Sequence, residues 1–431
     1  MQKEIVVSLL MPIYNVESYL REALDSAVGQ NLRDIEIICI DDGSTDHSAT
    51  ILDEYAANDS RVHVIHQVNG GYGKAMNTGL TMARGKYVAI LEPDDFLDCH
   101  MLSDLYLIAE QYQLDFVKSD FSFVEGEAGD YQVTPTRVYW QDSMYDKVLS
   151  RPEQLELFKG YLAFWACLYR RSFLEKYKIR FNETPGASYQ DTGFWFQTMV
   201  LARRVYLHEH AYYHYRQDNL GASMLSKKKV YCITEEYDFI YKKLQEHGLI
   251  AAYWPQYIAL RFIGHRDALL RIADRYKREF TVHIARDFGR LQADGRLDMS
   301  FMDGTDQEML ERILEDPVRF YQEMADVPRY IHEKVQPYKD FYIYGAGSRG
   351  KKIFDYLDER DEANCRGFLV SENNGVHCLK GKPVQTLKDA GLSTDTGIIV
   401  GVTARYHQEI IDILRQRGID TAVILAEDKV P

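Results

Sequence analysis

The sequence has few cysteines, no long apolar run and no excess of basic residues, and each absence excludes a class of protein. Its six cysteines are scattered without a CxxC pair, which favours reduced thiols and argues against a zinc site. No apolar stretch approaches the ~20 residues that span a bilayer. The chain opens on Lys3 and Glu4 with no visible signal peptide. We therefore expect a cytoplasmic protein, whose contact with membranes, if any, is peripheral and at the inner face of the plasma membrane.

The charge balance restricts the partners further. The formal net charge is -14, whereas a surface that follows a nucleic-acid backbone is normally basic, so we expect no nucleic-acid partner. An anionic ligand such as a nucleotide diphosphate would need a divalent cation, local lysine or arginine side chains, or backbone N–H donors to offset its charge.

A chain of 431 residues is too long for one ordinary core, and its patterns predict three parts. Residues 1–225 begin as an α/β domain, with buried strands predicted at 5–10, 36–40, 62–65 and 86–91. In this scheme Pro12 ends the first strand, Asn15 caps the first helix, and another helix begins near Leu97. Residues 226–335 are helical and charged, and residues 336–431 form a second, small Rossmann-like α/β domain.

Two acidic loops follow two separate strands of the first part. Asp41 and Asp42 end one strand, and the segment Glu92-Pro93-Asp94-Asp95 ends another. Either loop alone is ordinary turn or helix-cap chemistry. Both are predicted at the carboxyl edge of one parallel sheet, where open α/β sheets bind ligands. Two carboxylate clusters at one place repel each other unless a cation lies beside them, so the pattern favours a divalent metal shared with substrate phosphates.

Four ordered motifs carry a resemblance to a known family. They are PIYN at 12–15, DDGSTD at 41–46, NGGYGKAMNTG at 69–79 and LEPDD at 91–95. Together they are similar to family 2 of the glycosyltransferases, over roughly the first 225 residues. The resemblance implies a GT-A fold and transfer of a sugar from a nucleotide diphosphate donor, with UDP as the expected carrier and Mn²⁺ or Mg²⁺ as the expected cofactor.

The resemblance also implies roles for single residues. Asp94 is the expected metal ligand, and Asp42 the expected acceptor of a hydrogen bond from the base or ribose. The resemblance places Pro12, Tyr14 and Glu17 beside the base of the donor nucleotide. It places Glu92 and Asp95 near the ribose and the sugar.

Two residues depart from the family pattern. Glu92 stands where the family usually has Asp, which lengthens the side chain by one methylene. Met76 stands where an Arg is common, so a charge that would neutralise phosphate is missing there. Lys74 is either its substitute or a solvated helix residue.

A direct displacement at the anomeric carbon needs a base within reach of the acceptor hydroxyl. Asp191, in the segment 186–194, resembles the base of the family's ED motif, and Gln190 replaces the usual Glu. Asp191 could also serve as a helix N-cap, and the two roles are compatible. Arg216 and Ser223 lie in a segment that resembles the one closing over the donor diphosphate. Trp165 and Trp195 are candidates for stacking on an acceptor sugar, although core packing is the commoner use of tryptophan.

A second glycine-rich loop, GAGSRG, follows a predicted strand near the C-terminus. Gly345, Gly347 and Gly350 fit the GxGxxG pattern that brings a phosphate to a helix N-terminus, and a purely structural turn fits them as well. The segment resembles the small Rossmann-like domain that precedes the catalytic part of sugar O- and N-acyltransferases, but no hexapeptide-repeat helix follows. It therefore implies a second nucleotide site or a structural accessory.

These observations favour an inverting glycosyltransferase whose acceptor is a glycan, either of a surface polymer or carried on lipid or protein. An NAD-dependent oxidoreductase built on the C-terminal loop is one alternative, and a non-catalytic protein that binds nucleotide sugars is another. The helical region is expected to bind acceptor, to organise a homodimer, or to join the two α/β domains.

Overall fold

The structure is a computed structural model of the chain. It describes residues 4–126, 130–219, 229–325, 340–358, 365–371, 377–392, 396–402, 407–419 and 422–424. Its contacts divide the chain into two compact units, which are Met1–Tyr276 with Asp298–Phe301, and Lys277–Leu297 with Met302–Pro431. Among the described residues, we find no helix with the length and apolar character needed to cross a membrane.

The first unit is built on one ten-stranded sheet. Its main path runs β3-β2-β1-β4-β9-β6-β10-β5, while β7 pairs with β6 and β8 with β10. The first four strands of this path are mutually parallel. The strands are β1 (Val7–Ile13), β2 (Ile35–Asp41), β3 (Val62–His66), β4 (Tyr87–Ile90), β5 (Phe96–Leu97), β6 (Phe116–Glu125), β7 (Gln132–Thr136), β8 (Lys147–Val148), β9 (Cys167–Arg170) and β10 (Val205–Arg216).

Helices follow most of these strands and bury their apolar faces on the sheet. In α1, the side chains Leu20, Ala23, Leu24 and Ala27 are all fully buried, which is the spacing of one helical face. Every residue of β1 and β2 is buried, as expected of parallel strands covered on both sides. The helices are α1 (Glu17–Val28), α2 (Ser48–Asn58), α3 (Tyr72–Met82), α4 (Met101–Gln111), α5 (Arg151–Glu156), α6 (Arg171–Lys176), α7 (Gln190–Leu201), α8 (Cys232–Glu246) and α9 (Ile250–Arg271), and 3₁₀ turns lie at Asp142–Met144 and Leu157–Lys159.

Three local predictions for this unit were wrong. Pro12 does not end β1 but lies inside it, because β1 pairs with β4 only over its first four residues and the missing N–H of proline costs nothing beyond that point. Asn15 does not cap α1, since its Oδ1 accepts a hydrogen bond from the Thr45 N–H at 2.7 Å. The helix predicted to begin near Leu97 begins instead at Met101, because Leu97 pairs with Tyr213 in the antiparallel β5–β10 ladder.

The second unit contains helices and a six-stranded sheet of order β13-β14-β12-β11-β15-β16. Phe341, Ile343, Phe354 and Phe368 belong to a core on one side of this sheet, and Tyr344, Leu369 and Leu414 belong to a second cluster. The helices are α10 (Asp274–Ala293, which begins in the first unit), α11 (Gly304–Glu315), α12 (Pro317–Ala325), α13 (Ser348–Asp358) and α14 (His407–Arg415), and the strands are β11 (Phe341–Tyr344), β12 (Cys365–Val370), β13 (Cys378–Leu379), β14 (Lys382–Thr386), β15 (Gly397–Val400) and β16 (Ala422–Ile424).

Candidate active site

The loops that follow β1, β2 and β4 lie at one edge of the first sheet, because these three strands are adjacent and parallel. The loop after β2 is tied to the loop after β1 by hydrogen bonds. Glu17 N–H donates to Asp46 Oδ2 at 3.1 Å, and His47 N–H donates to Glu17 Oε2 at 2.7 Å. These bonds fix the carboxyl edge of the sheet before any ligand is bound.

Asp42 is buried at this edge and is held by the loop that follows β3. Its Oδ1 accepts hydrogen bonds from Gln67 Nε2 at 2.7 Å and from Gly70 N–H at 2.9 Å. Its Oδ2 accepts a hydrogen bond from Gly71 N–H at 2.8 Å. Gly71 has a φ of +89°, a conformation that glycine adopts without steric cost. The carboxylate of Asp42 therefore orders the glycine-rich segment in front of α3.

Asp95 is almost fully buried and is fixed by the end of β10. Tyr213 Oη donates a hydrogen bond to Asp95 Oδ2 at 2.8 Å, and the Arg216 N–H donates to Asp95 Oδ1 at 2.8 Å. The same Tyr213 hydroxyl accepts a hydrogen bond from the Glu92 N–H at 3.0 Å. Burial raises the pKa of Asp95, and the negative charge of Asp94 raises it further. Asp95 thus shapes the acidic loop and has little free surface of its own.

Asp94 and Glu92 are both more accessible than Asp95. Asp94 Oδ2 accepts a hydrogen bond from Asn219 Nδ2 at 2.8 Å. Glu92 Oε1 accepts one from Tyr72 Oη at 2.6 Å. The protein packed around the Glu92 carboxyl group raises its pKa to about 8, and the like charges of Asp94 and Asp191 contribute to that rise.

Asp191 belongs to the same group of carboxylates, although about a hundred residues separate it from the acidic loop. It lies in the first turn of α7, directly after Tyr189, which adopts a left-handed conformation. Burial raises the pKa of Asp191, whereas the Thr192 N–H and the positive charges of Arg271 and Lys229 oppose the rise. The negative charge of Asp191 also raises the pKa values of Glu92 and Tyr72. The structure therefore brings the predicted base and the predicted metal loop together.

Gln190 has a structural role beside this base. Its Nε2 donates hydrogen bonds to Thr184 Oγ1 at 2.9 Å and to the Gly186 carbonyl at 3.2 Å, and its Oε1 accepts one from the Ser188 N–H. The side chain is almost fully buried. The amide thus holds the 184–188 loop, and a carboxylate at this position could not make the two donations.

The region that contains both acidic loops matches the model of a known family. Residues 8–178 match the model described as "Glycosyl transferase family 2". That stretch contains β1 to β4, the loop at Asp42 and the loop at Glu92 to Asp95. The match to this family model therefore lies within the first unit.

Curated relatives named as glycosyltransferases also match part of this chain. The chain is 36% identical over 222 residues to "Uncharacterized glycosyltransferase EpsJ" of Bacillus subtilis, covering 49% of this chain and 61% of the relative. It is 33% identical over 219 residues to "Putative glycosyltransferase EpsH" of the same organism, covering 49% and 60%. The chain therefore spans about three fifths of the length of these curated relatives.

A solved structure supports the fold. The crystal structure of Staphylococcus aureus TarS 1-349 in complex with UDP-GlcNAc is similar with a TM-score of 0.57 at 19% identity, covering 75% of this chain and 92% of that one. At this identity the likeness concerns the fold alone. The predicted α/β architecture, with a GT-A domain followed by a second small sheet, is confirmed.

Among the predicted donor contacts, Arg216 is already engaged within the protein. Arg216 Nη2 donates to Glu22 Oε2 at 2.5 Å, and its Nε donates to the Asp94 carbonyl at 2.9 Å. The side chain is 4% exposed, so it braces the acidic loop rather than extending into solvent. Pro12 is buried and Lys74 is exposed, and Tyr14 is also exposed. Ser223 lies outside the described residues. The donor-binding roles of these residues stay predictions.

Sequence reasoning missed the tyrosines of this site. Tyr72 and Tyr213 hold Glu92 and Asp95 by hydrogen bonds, and Tyr215 lies in the field of the carboxylates. The spacing of Tyr213 and Tyr215 in one strand was the available signal, because residues i and i+2 share one face. The sequence could not show that this strand lies beside the acidic loop and donates hydrogen bonds to it.

A second cluster of side chains that could bind a metal ion lies outside this site. Among the described residues, Asp98, Cys99 and His100 are the one set of three His, Cys, Asp or Glu side chains with ligand atoms within 4.8 Å of one another. Asp98 Oδ1 accepts hydrogen bonds from the His100 N–H at 2.8 Å and from His100 Nδ1 at 3.0 Å. This local turn in front of α4 accounts for their closeness.

The C-terminal loop forms the expected turn between β11 and α13. Gly345 has a φ of +114°, and a Cβ added at Gly350 would overlap the Gly345 carbonyl. Gly347 is exposed, with open space where a side chain would be. These features fit a close approach of helix and strand. Nucleotide binding at this loop, and its resemblance to the acyltransferase-associated domain, stay predictions.

Proposed function

We propose that this chain is an inverting glycosyltransferase that transfers a sugar from a UDP-sugar to a hydroxyl group of a glycan. The observation that carries the proposal is the grouping of the Glu92, Asp94 and Asp191 carboxylates, whose charges interact beside the carboxyl ends of the parallel strands β1, β2 and β4. These residues come from two structural contexts, since Glu92 and Asp94 follow β4 and Asp191 lies in the first turn of α7. A protein that only binds nucleotide sugars has no need of the third carboxylate.

In this reaction Asp191 takes the proton of the acceptor hydroxyl. The acceptor oxygen forms a bond to the anomeric carbon while the bond from that carbon to the diphosphate oxygen breaks, and the nucleotide diphosphate leaves. A single displacement of this kind inverts the configuration of the anomeric carbon. The pKa of Asp191 is raised by burial, which makes its carboxylate a stronger base. Arg271 and Lys229 limit the rise through their positive charges, and so help to keep the group ionised.

The residues of the site fit a divalent cation. Glu92 and Asp95 both have raised pKa values, caused first by burial and then by neighbouring carboxylates, which is the situation that a cation relieves. Asp94 is the expected ligand for Mn²⁺ or Mg²⁺. It would be joined mainly by substrate phosphates, because hard cations are commonly held by one or two carboxylates plus phosphate oxygens. When bound, the cation stabilises the negative charge of the leaving diphosphate.

UDP is the proposed carrier on two grounds. The family resemblance favours it, and a structure with the same fold was solved with UDP-GlcNAc. Tyr14 and Glu17, after β1, are the proposed contacts of the base, with Asp42 ordering the loop beside them. The acceptor is proposed to be a glycan of a surface polymer or one carried on lipid or protein.

Calorimetric titration tests the donor. UDP, GDP, CDP and NAD are each titrated with and without Mn²⁺, and we expect UDP to bind only when Mn²⁺ is present. Tight binding of NAD without any metal-dependent binding of a diphosphate would instead assign the function to the second unit.

Substitution of the base tests the chemistry. Asp191→Asn should lower the rate of sugar transfer by a factor of about 10² or more, the usual contribution of a positioned general base, while UDP still binds in the presence of Mn²⁺. Asp98→Asn is the matched control, because Asp98 belongs to the turn between β5 and α4 and is not one of the carboxylates of the site. Unchanged turnover in Asp191→Asn would remove Asp191 from the mechanism.

A further inference from the structure

A continuous group of aromatic rings connects the carboxylates of the site with the surface of the first unit. Trp165 stacks on Tyr213 with the ring centroids 4.1 Å apart and on Tyr215 at 5.3 Å. Phe123 packs edge-on against Tyr215 at 5.9 Å and against Tyr161 at 6.2 Å. We call Tyr161, Phe123 and Tyr215 the aromatic platform, because these three rings form its accessible part.

Strand pairing explains why the rings share a face. In the parallel β6–β10 ladder, Phe121 is opposite Tyr213 and Phe123 is opposite Tyr215. Within each strand the two residues are two positions apart, so their side chains point to the same side of the sheet. Tyr161 and Trp165 cover this side from the segment before β9, where Tyr161 also packs edge-on against Phe121 at 5.4 Å.

The inner end of the platform reaches the reaction centre. The Tyr213 ring stacks on Trp165, and its hydroxyl group donates a hydrogen bond to Asp95. Burial raises the pKa of the adjacent Tyr215, and the charges of Asp95, Asp94, Glu92 and Asp191 raise it further. One hydroxyl group thus lies in the field of the metal loop and of the proposed base at the same time. A ring stacked on the platform would therefore lie near this group of carboxylates.

The outer end of the platform is open. Tyr161 is 49% exposed and Phe123 is partly exposed, whereas Trp165 beneath them is 8% exposed. The ring contacts of Tyr161 and Phe123 are with other aromatic rings. An aromatic surface of this kind suits an uncharged ligand with an apolar face. A phosphate-bearing ligand would instead be matched by lysine or arginine.

We infer that the aromatic platform is the acceptor subsite and that it takes the ring of a neutral hexopyranose sugar. The inference rests on the proposed function. A pyranose ring presents a face of C–H groups, which packs on aromatic rings and leaves its hydroxyl groups at the rim. Stacked on Tyr161 and Phe123 and reaching over Tyr215, the sugar would direct one of those hydroxyls toward Asp191. The terminal unit of the acceptor is then a sugar and not a polyol phosphate.

Ligand-observed NMR tests this subsite on the full chain with UDP and Mn²⁺ present. The probes are methyl β-D-glucopyranoside, methyl β-D-galactopyranoside, methyl N-acetyl-β-D-glucosaminide and glycerol 1-phosphate. We expect at least one glycoside to bind and glycerol 1-phosphate not to bind. Tyr161→Ala should weaken glycoside binding by about 3- to 10-fold, the loss expected from one aromatic contact. Tyr161→Phe, which keeps the ring, should stay within about 2-fold of the wild type.

Tyr112→Ala is the matched control, because Tyr112 stacks on Tyr206 near the opposite end of β10 and should leave glycoside binding unchanged. The proposal is overturned if none of the glycosides binds, if glycerol 1-phosphate binds in their place, or if Tyr161→Ala binds them as well as the wild type does. Thermal unfolding of Tyr161→Ala is measured as a check on folding, and we expect a folded variant because the side chain is half exposed. A failure of the wild-type chain to bind UDP would count against the proposed function and is read separately, by calorimetry.

Discussion

At the scale of single residues, the site is defined by carboxylates whose charges are costly until a ligand arrives. Asp42 accepts hydrogen bonds from Gln67, Gly70 and Gly71. Burial raises the pKa values of Glu92, Asp95 and Asp191. The sequence indicated all four, since each belongs to a recognisable motif. It could not indicate which of them the protein itself satisfies, because Tyr213 and Gly71 reach them only through tertiary contacts.

Glu236 extends this pattern into the helix that packs on α7, and it gives a pH-dependent prediction. Its side chain is almost fully buried, and its Oε2 accepts a hydrogen bond from Asn182 Nδ2 at 3.0 Å. Burial raises its pKa to about 8, and the negative charge of Asp191 contributes. A folded-state pKa above that of the unfolded chain means that the folded state keeps a proton that the unfolded state has already lost. Stability from this group is complete below about pH 4.5 and is lost as the pH rises toward 8.

We therefore expect the unfolding temperature of the ligand-free chain to fall between pH 5.5 and pH 8. In Glu236→Gln the fall should be smaller, because the amide carries no titrating proton. The measurement is a thermal-unfolding series over this pH range, and Glu235→Gln is the control, since Glu235 is the exposed neighbour. Equal pH slopes in the wild type and Glu236→Gln would show that Glu236 is not held neutral.

At the scale of elements, the strands of the first four βα units were predictable because each is a short apolar run bounded by turn residues. β1 to β4 lie within a few residues of their predicted positions. The short antiparallel β5 was missed, since Phe96-Leu97 is too short for a pattern and forms only because β10 lies beside it. Asn15 looked like a helix cap, yet its side chain bonds the loop after β2. Local propensity therefore located the elements, and contacts between loops decided the details of the site.

The N-terminal turn of α7 depends on a glycine, which gives a prediction for this element. A Cβ added at Gly193 would overlap Glu236 Oε1, so Gly193→Ala must displace the buried Glu236 carboxyl group that packs against the turn carrying Asp191. We expect a lower unfolding temperature and a loss of sugar transfer of at least about 10-fold, since small displacements of a catalytic group cost that much or more.

Gly289→Ala in α10 is the matched control for this change. The nearest atom to an added Cβ there is Leu314 Cδ2 at 3.8 Å, and alanine in an open helix interior is favoured over glycine by about 0.5–1 kcal/mol. This variant should be as stable as the wild type or slightly more so. Transfer and unfolding temperature preserved in Gly193→Ala would mean that α8 does not constrain the position of Asp191.

At the scale of the whole molecule, the chain combines two units that each have a sheet and a core of their own. The predicted boundary between a helical region and a C-terminal domain rested on a change of composition near residue 335, whereas the contacts divide the chain near residue 277. Composition could not predict this division, because a charged amphipathic helix has the same sequence pattern whichever unit it packs on. α8 and α9 belong to the first unit, and α11 and α12 to the second.

Separate cores predict separate unfolding transitions in differential scanning calorimetry. UDP with Mn²⁺ should raise the midpoint of one transition, because a ligand stabilises only the unit that binds it. Gly350→Ala should lower the midpoint of the other, since the added Cβ overlaps the Gly345 carbonyl beside the core of the second sheet. Gly391→Ala is the control, because nothing lies near a Cβ added there. Its φ of +57° disfavours alanine, so we expect a loss of stability of about 1 kcal/mol and no more. If one transition responded to both UDP and Gly350→Ala, the two units would unfold together, and the donor site would depend energetically on the second sheet.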